Sequence, residues 1–423
     1  MRSALCVIAL ALAGSARAQD NIVQEYPDLP ALKQVELALG QDPRVLGAKS
    51  RIGFEQSNQS RLDAGTYEFN VRMGIAQRRT TYDGNFKEWD VGLERALRLP
   101  NKGRLDRDLG TQGVAVAALS AGDAMHESGR VLLRLWFDWV RESGLLALWR
   151  RQTELVKQQQ SVVARRVRAG DAAKMELNLA EAAVAQTQSA VLQAQTRESA
   201  ARQAIAHMYP AILVPPEALL LDPQPVGATL DYWKERVLVH NHELAAARAE
   251  VKRRETMASR ARADRLPDPS VGVRYSYELD GQERVTGVYL LVPIPGRARA
   301  ATAQGAEVQI DAAHQHEADV LRRVETEIGQ SYTTATGTFD AWSQLRQAAE
   351  GLRKHVELTL RSYQLGESGL ADVIAARRLA VDSELAAIQA QVEAAHARYR
   401  LLLDAHTLWP LDPDEGRDGH ATH

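Results

Sequence analysis

Between residues 67 and 75 the chain alternates strictly. Tyr67, Phe69, Val71, Met73 and Ile75 are apolar, and Glu68, Asn70, Arg72 and Gly74 fall between them. A period of two predicts a strand with one apolar and one polar face. Asp83-Gly84 marks a turn, and Trp89, Val91, Leu93 and Leu97 alternate in a return strand that Pro100 ends. The device recurs: Val271, Val273, Tyr275, Tyr277 and Leu279 alternate, Asp280-Gly281 turns, and Val285–Ile294 returns before Pro293-Ile294-Pro295-Gly296. Each strand comes close to the ~9–11 residues that a tilted strand needs to cross a bilayer.

Elsewhere the period is helical. Pro30 to Asp63 reads as one helix carrying Leu32, Val35, Leu39, Leu46 and Ile52. Residues 104–168 and 298–365 contain no proline. At ~1.5 Å per residue each such run reaches about 100 Å. After Gly170 the chain returns with Leu177, Val184, Val191 and Ile205, and Ala180, Thr187, Ala194 and Ala201 follow three residues behind. After Gly366 the matching series is Ile374, Val381, Ile388, Ala395 and Leu402, flanked by Leu385, Val392 and Tyr399. Seven-residue spacing is a coiled-coil seam, and small residues in it allow close approach.

These elements come in the same order twice. LGQDPRVLGAKS at 39–50 is answered by LVHNHELAAARA at 238–249, and the turn at Gly170 by the turn at Gly366. His-Met-Tyr-Pro210 closes the first half and Thr-Leu-Trp-Pro410 the second. The offset is about 200 residues, far beyond a solenoid period. The organisation expected is a signal peptide over 1–18, a first repeat over 19–210 (β-hairpin 66–99, helical hairpin with its tip near 170), and a Pro-rich equatorial linker over 211–228. A second repeat over 229–410 (β-hairpin 270–295, tip near 366) and a disordered tail over 411–423 complete it. By length, 171–208 stacked end to end on 229–264 matches one long helix, and 371–408 on 30–63 matches the other.

Composition narrows the class. The charge of −2 gives no signal for nucleic acid, and 5% aromatic residues with abundant Ala, Gln, Glu and Arg suit long rods packed by small side chains. Arg2, the apolar run Ala4–Ala13 and Ala16-Arg17-Ala18 read as a cleavable export signal. The only cysteine, Cys6, lies inside it, so the exported chain is expected to have no disulfide or thiolate metal site. No later run offers ~18 apolar residues for a transmembrane helix, so a membrane would be crossed by strands.

Four strands cannot close in lipid, because every backbone N–H and C=O there needs a partner. Closure therefore predicts a symmetric homo-oligomer, most simply a homotrimer of twelve strands with an open lumen. The fold class expected is mainly α with a small β part. Duplicated long helical hairpins form a trimeric α-barrel, and four strands per chain contribute to a 12-stranded transmembrane β-barrel.

The chain resembles the TolC family of outer-membrane efflux channels from about Leu29 to Pro410. The resemblance rests on the duplicated plan, the turn Ser362-Tyr363-Gln364-Leu365-Gly366 followed by Ala371-Asp372-Val373, Leu99-Pro-Asn-Lys-Gly-Arg104, and Leu266-Pro-Asp-Pro-Ser270. The overall size and the Leu-Pro-Asp-Pro and Pro-Gly-Arg segments are most similar to CzcC-like members, which serve heavy-metal exporters. The family implies a passive, non-enzymatic, cofactor-free duct through the outer membrane of a Gram-negative-type cell and into the periplasm. It also implies docking to a periplasmic adaptor and an inner-membrane pump of the RND type. Many relatives carry a lipid-bearing cysteine after the signal; here none is present.

On that resemblance the turn end is the adaptor-docking tip, with Arg166, Arg168, Gly170, Tyr363, Leu365 and Gly366 as its residues. Arg165 and Arg361 stand beside them. Asp372 matches a position where relatives place a pore-facing acid, and Glu367 lies near it. Threefold symmetry would make these a cation-attracting carboxylate ring at the pore constriction. An ordinary acid complementing the helix dipole is the other reading of Asp372. Lys102, Arg104, Arg107, Arg297 and Arg299 read equally as cations within reach of outer-membrane lipid head groups or as solvated helix starts. Tyr67, Trp89, Tyr275, Tyr277 and Tyr289 are candidates for interfacial girdles, with core packing against the helices as the alternative. No metal site is expected. His240 and His242, like His314 and His316, are two apart and diverge on a helix, and His420 and His423 fall in the tail. A periplasmic coiled-coil structural or adaptor protein is the alternative reading of the rods.

Overall fold

The computed structural model describes residues 26–82, 84–409 and 411. The expected export signal, Cys6, Asp83 of the first turn, Pro410 and the tail histidines lie outside them.

Each half carries two short helices, a β-hairpin, a very long helix and a returning helix. The first half comprises α1 (Leu32–Gly40), α2 (Pro43–Ala64), β1 (Phe69–Thr80), β2 (Gly84–Ala96), α3 (Pro100–Ala169) and α4 (Lys174–Met208). The second comprises α5 (Leu230–His240), α6 (His242–Ala263), β3 (Ser270–Glu278), β4 (Glu283–Leu291), α7 (Arg297–Gln364) and α8 (Leu370–Asp404).

The single helix expected over 30–63 is two helices, broken at Asp42. Its carboxylate accepts the Arg44 N–H at 2.9 Å, and Pro43 takes the first helical position, where a missing N–H costs nothing. The second half breaks at the equivalent residue, where the Asn241 side chain accepts the Leu244 N–H at 2.7 Å. The offset noted in the sequence thus reappears as a pair of matching N-caps.

Both breaks lie at a waist where the largest core gathers. Leu132, Leu133, Trp136, Phe137 and Trp139 of α3 pack there with Val35, Leu39, Ile205, Tyr209, Tyr399 and Trp409. Indole donors are satisfied within it: Trp136 Nε1 donates to the Asp28 carbonyl (2.8 Å) and Trp139 Nε1 to Glu198 Oε1 (2.9 Å). The Pro-rich segment after Tyr209 is strapped across the waist. The Leu213 N–H donates to Gln34, the Ala218 N–H to Ser143 and Gln391 Nε2 to the Leu221 carbonyl.

On the strand side of the waist α3 packs on α2 and α6; on the turn side it packs on α4 and α8. Gln59 of α2 and Thr256 of α6 bond to Thr111 and Gln112 of α3, whereas Glu198 of α4 and Glu384 of α8 bond to Trp139 and Arg151. α7 likewise meets α6, through Arg262–Glu307, and then α8, through Trp342 against Ala390 and Ala394. The stacked columns are therefore α2 with α4 and α6 with α8. This corrects the pairing inferred from length, which matched rods across the halves. The end contacts agree: Tyr209 after α4 reaches Asp42 and Arg44, and His406 after α8 reaches His240 and His242.

The heptad seams of α4 and α8 are buried or half-buried along their length, including Ala180, Val184, Ala194, Ile205, Val381, Val392, Ala395 and Tyr399. No described helix is long and apolar enough to cross a membrane. The strands form one antiparallel sheet in the order β1-β2-β3-β4, leaving β1 and β4 as its edges.

Candidate functional site

Register sorts the sheet's side chains. Val71↔Leu93↔Val273↔Val288 and Ile75↔Trp89↔Tyr277 lie on one face. Between Val71 and Ile75 and their partners that face is apolar and exposed, Ile75 to 92%, with Arg95, Lys87 and Arg284 at its ends. The other face carries Arg72, Asp90 and Arg274, with both arginines within 4 Å of Asp90 (3.9 and 3.8 Å). Arg78 on the same face pairs with Glu88 (2.8 Å) and Glu278 (3.0 Å). A four-stranded ribbon thus shows apolar residues to one side and paired charges to the other, as a strand wall between lipid and water requires.

The aromatics divide. Trp89 stacks on Tyr277 (5.7 Å between centroids) and lies 5.6 Å from Tyr275, all three on the apolar face. Tyr289 belongs to the polar face, contrary to its expected place in a girdle. Its hydroxyl donates to Glu94 at 2.9 Å, and its ring crosses Gly272, where a Cβ would overlap it. Tyr67 is also no girdle residue; it turns to the helices and donates to Asp268 at 2.8 Å.

Lys102, expected at the lipid head groups or in solvent, is 1% exposed. Its ammonium binds Asp268 Oδ1 (3.0 Å), Asp264 Oδ1 (3.1 Å) and the Leu266 carbonyl (2.7 Å). Asp268 also accepts the Leu99 N–H (3.3 Å). The Leu-Pro-Asn-Lys motif of one half therefore grips the Leu-Pro-Asp-Pro motif of the other. Asp106, held by Arg98 (3.3 Å) and Arg260 (2.6 Å), extends the network. Burial raises the Asp268 pKa, but bonds from Lys102 and Tyr67 outweigh it and leave the carboxyl below its usual range. Burial and the Asp268 partner push the Tyr67 phenol up to about 12. Arg104, Arg107, Arg297 and Arg299 are exposed.

At the opposite end of the rods the two turns are built alike. Gly170 (φ +83°) and Gly366 (φ +79°) take the left-handed conformation that favours glycine. The Asp171 N–H returns to the Arg166 carbonyl (2.9 Å) and the Glu367 N–H to the Ser362 carbonyl (3.0 Å), closing each helix in the same way. Arg168, Leu365 and Glu367 are exposed. Tyr363 is not. Its ring packs with Val163, Ala180, Leu370 and Val373, and its hydroxyl donates to Glu176 at 3.1 Å. Arg166 lies over that ring at 5.0 Å and donates to the Asp171 carbonyl at 3.3 Å. Tyr363 and Arg166 therefore join the two hairpins; Arg166 stays half-buried, while Arg165, Arg168, Arg361, Leu365, Glu367 and the two glycine turns are exposed. Asp372 is exposed, and its carboxylate accepts the Gly369 N–H at 2.9 Å, capping α8.

The histidines behave differently from the helical expectation. The backbone at Asn241 is extended (φ −70°, ψ 109°), so His240 and His242 both turn toward His406, with centroids 5.6 and 5.2 Å from it. His126 of α3 stacks on the same ring at 5.2 Å. Sequence reasoning missed this convergence because it treated the break as continuous helix; Asn241 as an N-cap was the available signal. Among the described residues no group of three or more His, Cys, Asp or Glu is placed to hold a metal ion.

This architecture has solved counterparts. Residues 233–403 match the family described as outer membrane efflux protein. The outer membrane protein VceC of Vibrio cholerae superimposes with a TM-score of 0.72 at 16% identity, over 89% of this chain and 99% of that one. The CmeC outer membrane channel of Campylobacter jejuni gives 0.69 at 13% identity over 91% and 87%. The open state of the MtrE outer membrane channel of Neisseria gonorrhoeae gives 0.64 at 18% identity over 89% of each chain. No curated protein sequence matches the chain. The structural likenesses establish the fold: mostly helical, with a small four-stranded antiparallel sheet, as in these outer-membrane proteins.

Proposed function

We propose that the chain is one subunit of an outer-membrane channel in a tripartite efflux system, built from two copies of one ancestral unit. The observation that carries this is the two-faced sheet with unpaired edges β1 and β4. An open edge in hydrocarbon leaves backbone donors and acceptors unsatisfied, so β1 of one copy takes β4 of another. Three copies give twelve strands around a water-filled lumen lined by Arg72, Asp90, Glu94 and Arg274, with the rods continuing as a helical tube.

The duct is passive. A periplasmic adaptor docks at the turns around Gly170 and Gly366, through Arg168 and Leu365, and an RND-type inner-membrane pump supplies the energy. Asp372 and Glu367, exposed near that end, form the carboxylate constriction, and divalent metal cations are the cargo that such a ring favours. Opening is a shift between two packings of the inner hairpins. The exposed apolar sheet face argues against the alternative of a periplasmic coiled-coil or adaptor protein, which would have no use for it.

Planar-bilayer recording of the purified, detergent-extracted protein tests the reading. Discrete conductance steps are expected. Their absence from a preparation that inserts into the bilayer would remove the channel assignment. Deletion followed by growth on cobalt, zinc, cadmium, copper and silver tests the cargo; unchanged tolerance of all five would remove metals.

A further inference from the structure

We propose that His126, buried in the imidazole cluster at the joint between α6 and α8, is an acid-sensitive latch, in which proton uptake by that one ring loosens the end of α8 from the start of α6.

The cluster draws on four elements: His126 from α3, His240 from α5, His242 from α6 and His406 from the turn after α8. The His126 and His406 rings are nearly parallel, 8° apart. The His242 ring lies flat on α3 at Gly122, where a Cβ would stand 2.9 Å from it. His406 has φ +54°, a left-handed backbone uncommon outside glycine, fixed by its N–H to the Leu403 carbonyl (2.9 Å) and by the Thr407 N–H to the Leu402 carbonyl (2.9 Å). Arg236 of α5 donates to the Ala405 carbonyl at 3.3 Å. Breaking the joint therefore separates α8 from α3, α5 and α6 at one place.

Burial, more than the balance of surrounding charges, makes the closed joint a poor host for an imidazolium at His126. From α3 come Asp123, Glu127 and Arg130; from α6, Glu243, which Arg323 of α7 binds; from α8, Arg400 and Asp404. The carboxylate nearest His126 is Asp404 (3.7 Å), and it already accepts from Arg130 (2.8 Å) and Arg400 (3.2 Å). His126 bonds through Nε2 to the Leu403 carbonyl at 3.2 Å, as a neutral donor does. Burial, with Arg130 beside it, pushes the His126 pKa down to about 3. Opened to water, the same imidazole regains an ordinary pKa of about 6.5. Protons therefore bind the open joint more tightly. Between those two values each unit of acidification favours opening about tenfold.

The test is hydrogen–deuterium exchange of the full chain in detergent micelles at pH 7.5 and 5.5, corrected for intrinsic exchange. Peptides over 236–246 and 398–409 are expected to open about tenfold more at pH 5.5. His126→Gln, which keeps a donor for the Leu403 carbonyl, is expected to abolish that rise, and His126→Asn serves if Gln does not fold. His396, also buried in α8 with its pKa pushed down to about 4 by burial, is the competing acid-sensitive group. His396→Gln is expected to leave the rise at 236–246 intact. No rise in the wild type, or an equal rise in the His126 variant, would overturn the latch.

Discussion

The Lys102 ammonium lies 3.0 Å from the Asp268 carboxylate and joins the first turn of α3 to the loop before β3. With 1% of Lys102 exposed, its ammonium cannot trade its partners for water. Removing one partner of such a pair leaves the other uncompensated, at a cost of about 3 kcal/mol. Lys102→Met is expected to lower unfolding stability in detergent by that order, and Asp268→Asn in the same chain to recover part of it. A strictly additive double-mutant cycle would show that the pair is not coupled.

Tyr67 gives this junction an alkaline limit. Its folded pKa of about 12 lies above the ordinary 10, so the folded state holds the phenol proton more tightly than the unfolded chain. The corresponding stability is whole below pH 10 and drains away as pH rises through about 12. Asp268 sets the acid limit with the opposite sign. Its folded pKa lies below 3.8, so its contribution is present above that value and lost as pH falls through the lowered one. Unfolding titrations should show both flanks, and Tyr67→Phe should flatten the alkaline one.

How much of this was legible in the sequence varied with the range of the interaction. Period-two alternation marked the strands, but stopped at Ile75 where β1 runs to Thr80. Beyond Ile75 come Gln77, Arg78 and Arg79, which show no apolar face, yet the ladder continues to Thr80↔Gly84. The helix break at Asp42 was masked by an apolar period that runs through it from Leu39 to Leu46, although Asp-Pro is itself a start signal. Lys102 and Tyr363 share one reason for their unexpected places, and the histidine cluster adds it to the local helix break at Asn241. Each is decided by partners 130 or more residues away in the chain, as Tyr363 is by Glu176. Local patterns carry no information about such distances.

At the turn end, Tyr363→Phe removes the bond to Glu176 while keeping the packed ring. A loss of about 1 kcal/mol is expected, with looser association of the two hairpins and a higher open probability in bilayer recordings. An unchanged open probability with reduced stability would separate the clamp from gating.

Asp372 serves as a cap within one chain, so its substitution must spare the cap to test the ring. Asn keeps an oxygen for the Gly369 N–H and removes the charge. Asp372→Asn is expected to leave thermal stability within about 0.5 kcal/mol and to weaken cation preference in a salt gradient. An unaltered reversal potential would leave the residue with its capping role alone.

Edge satisfaction by sister copies is tested most directly by the mass of the detergent-extracted protein, taken together with disulfide trapping of one cysteine on β1 against one on β4. The account predicts a trimer by light scattering, and oxidation that links copies into dimers and trimers and no further. A single copy that stays monodisperse in plain buffer, ignores bilayers and forms no intermolecular link would contradict it.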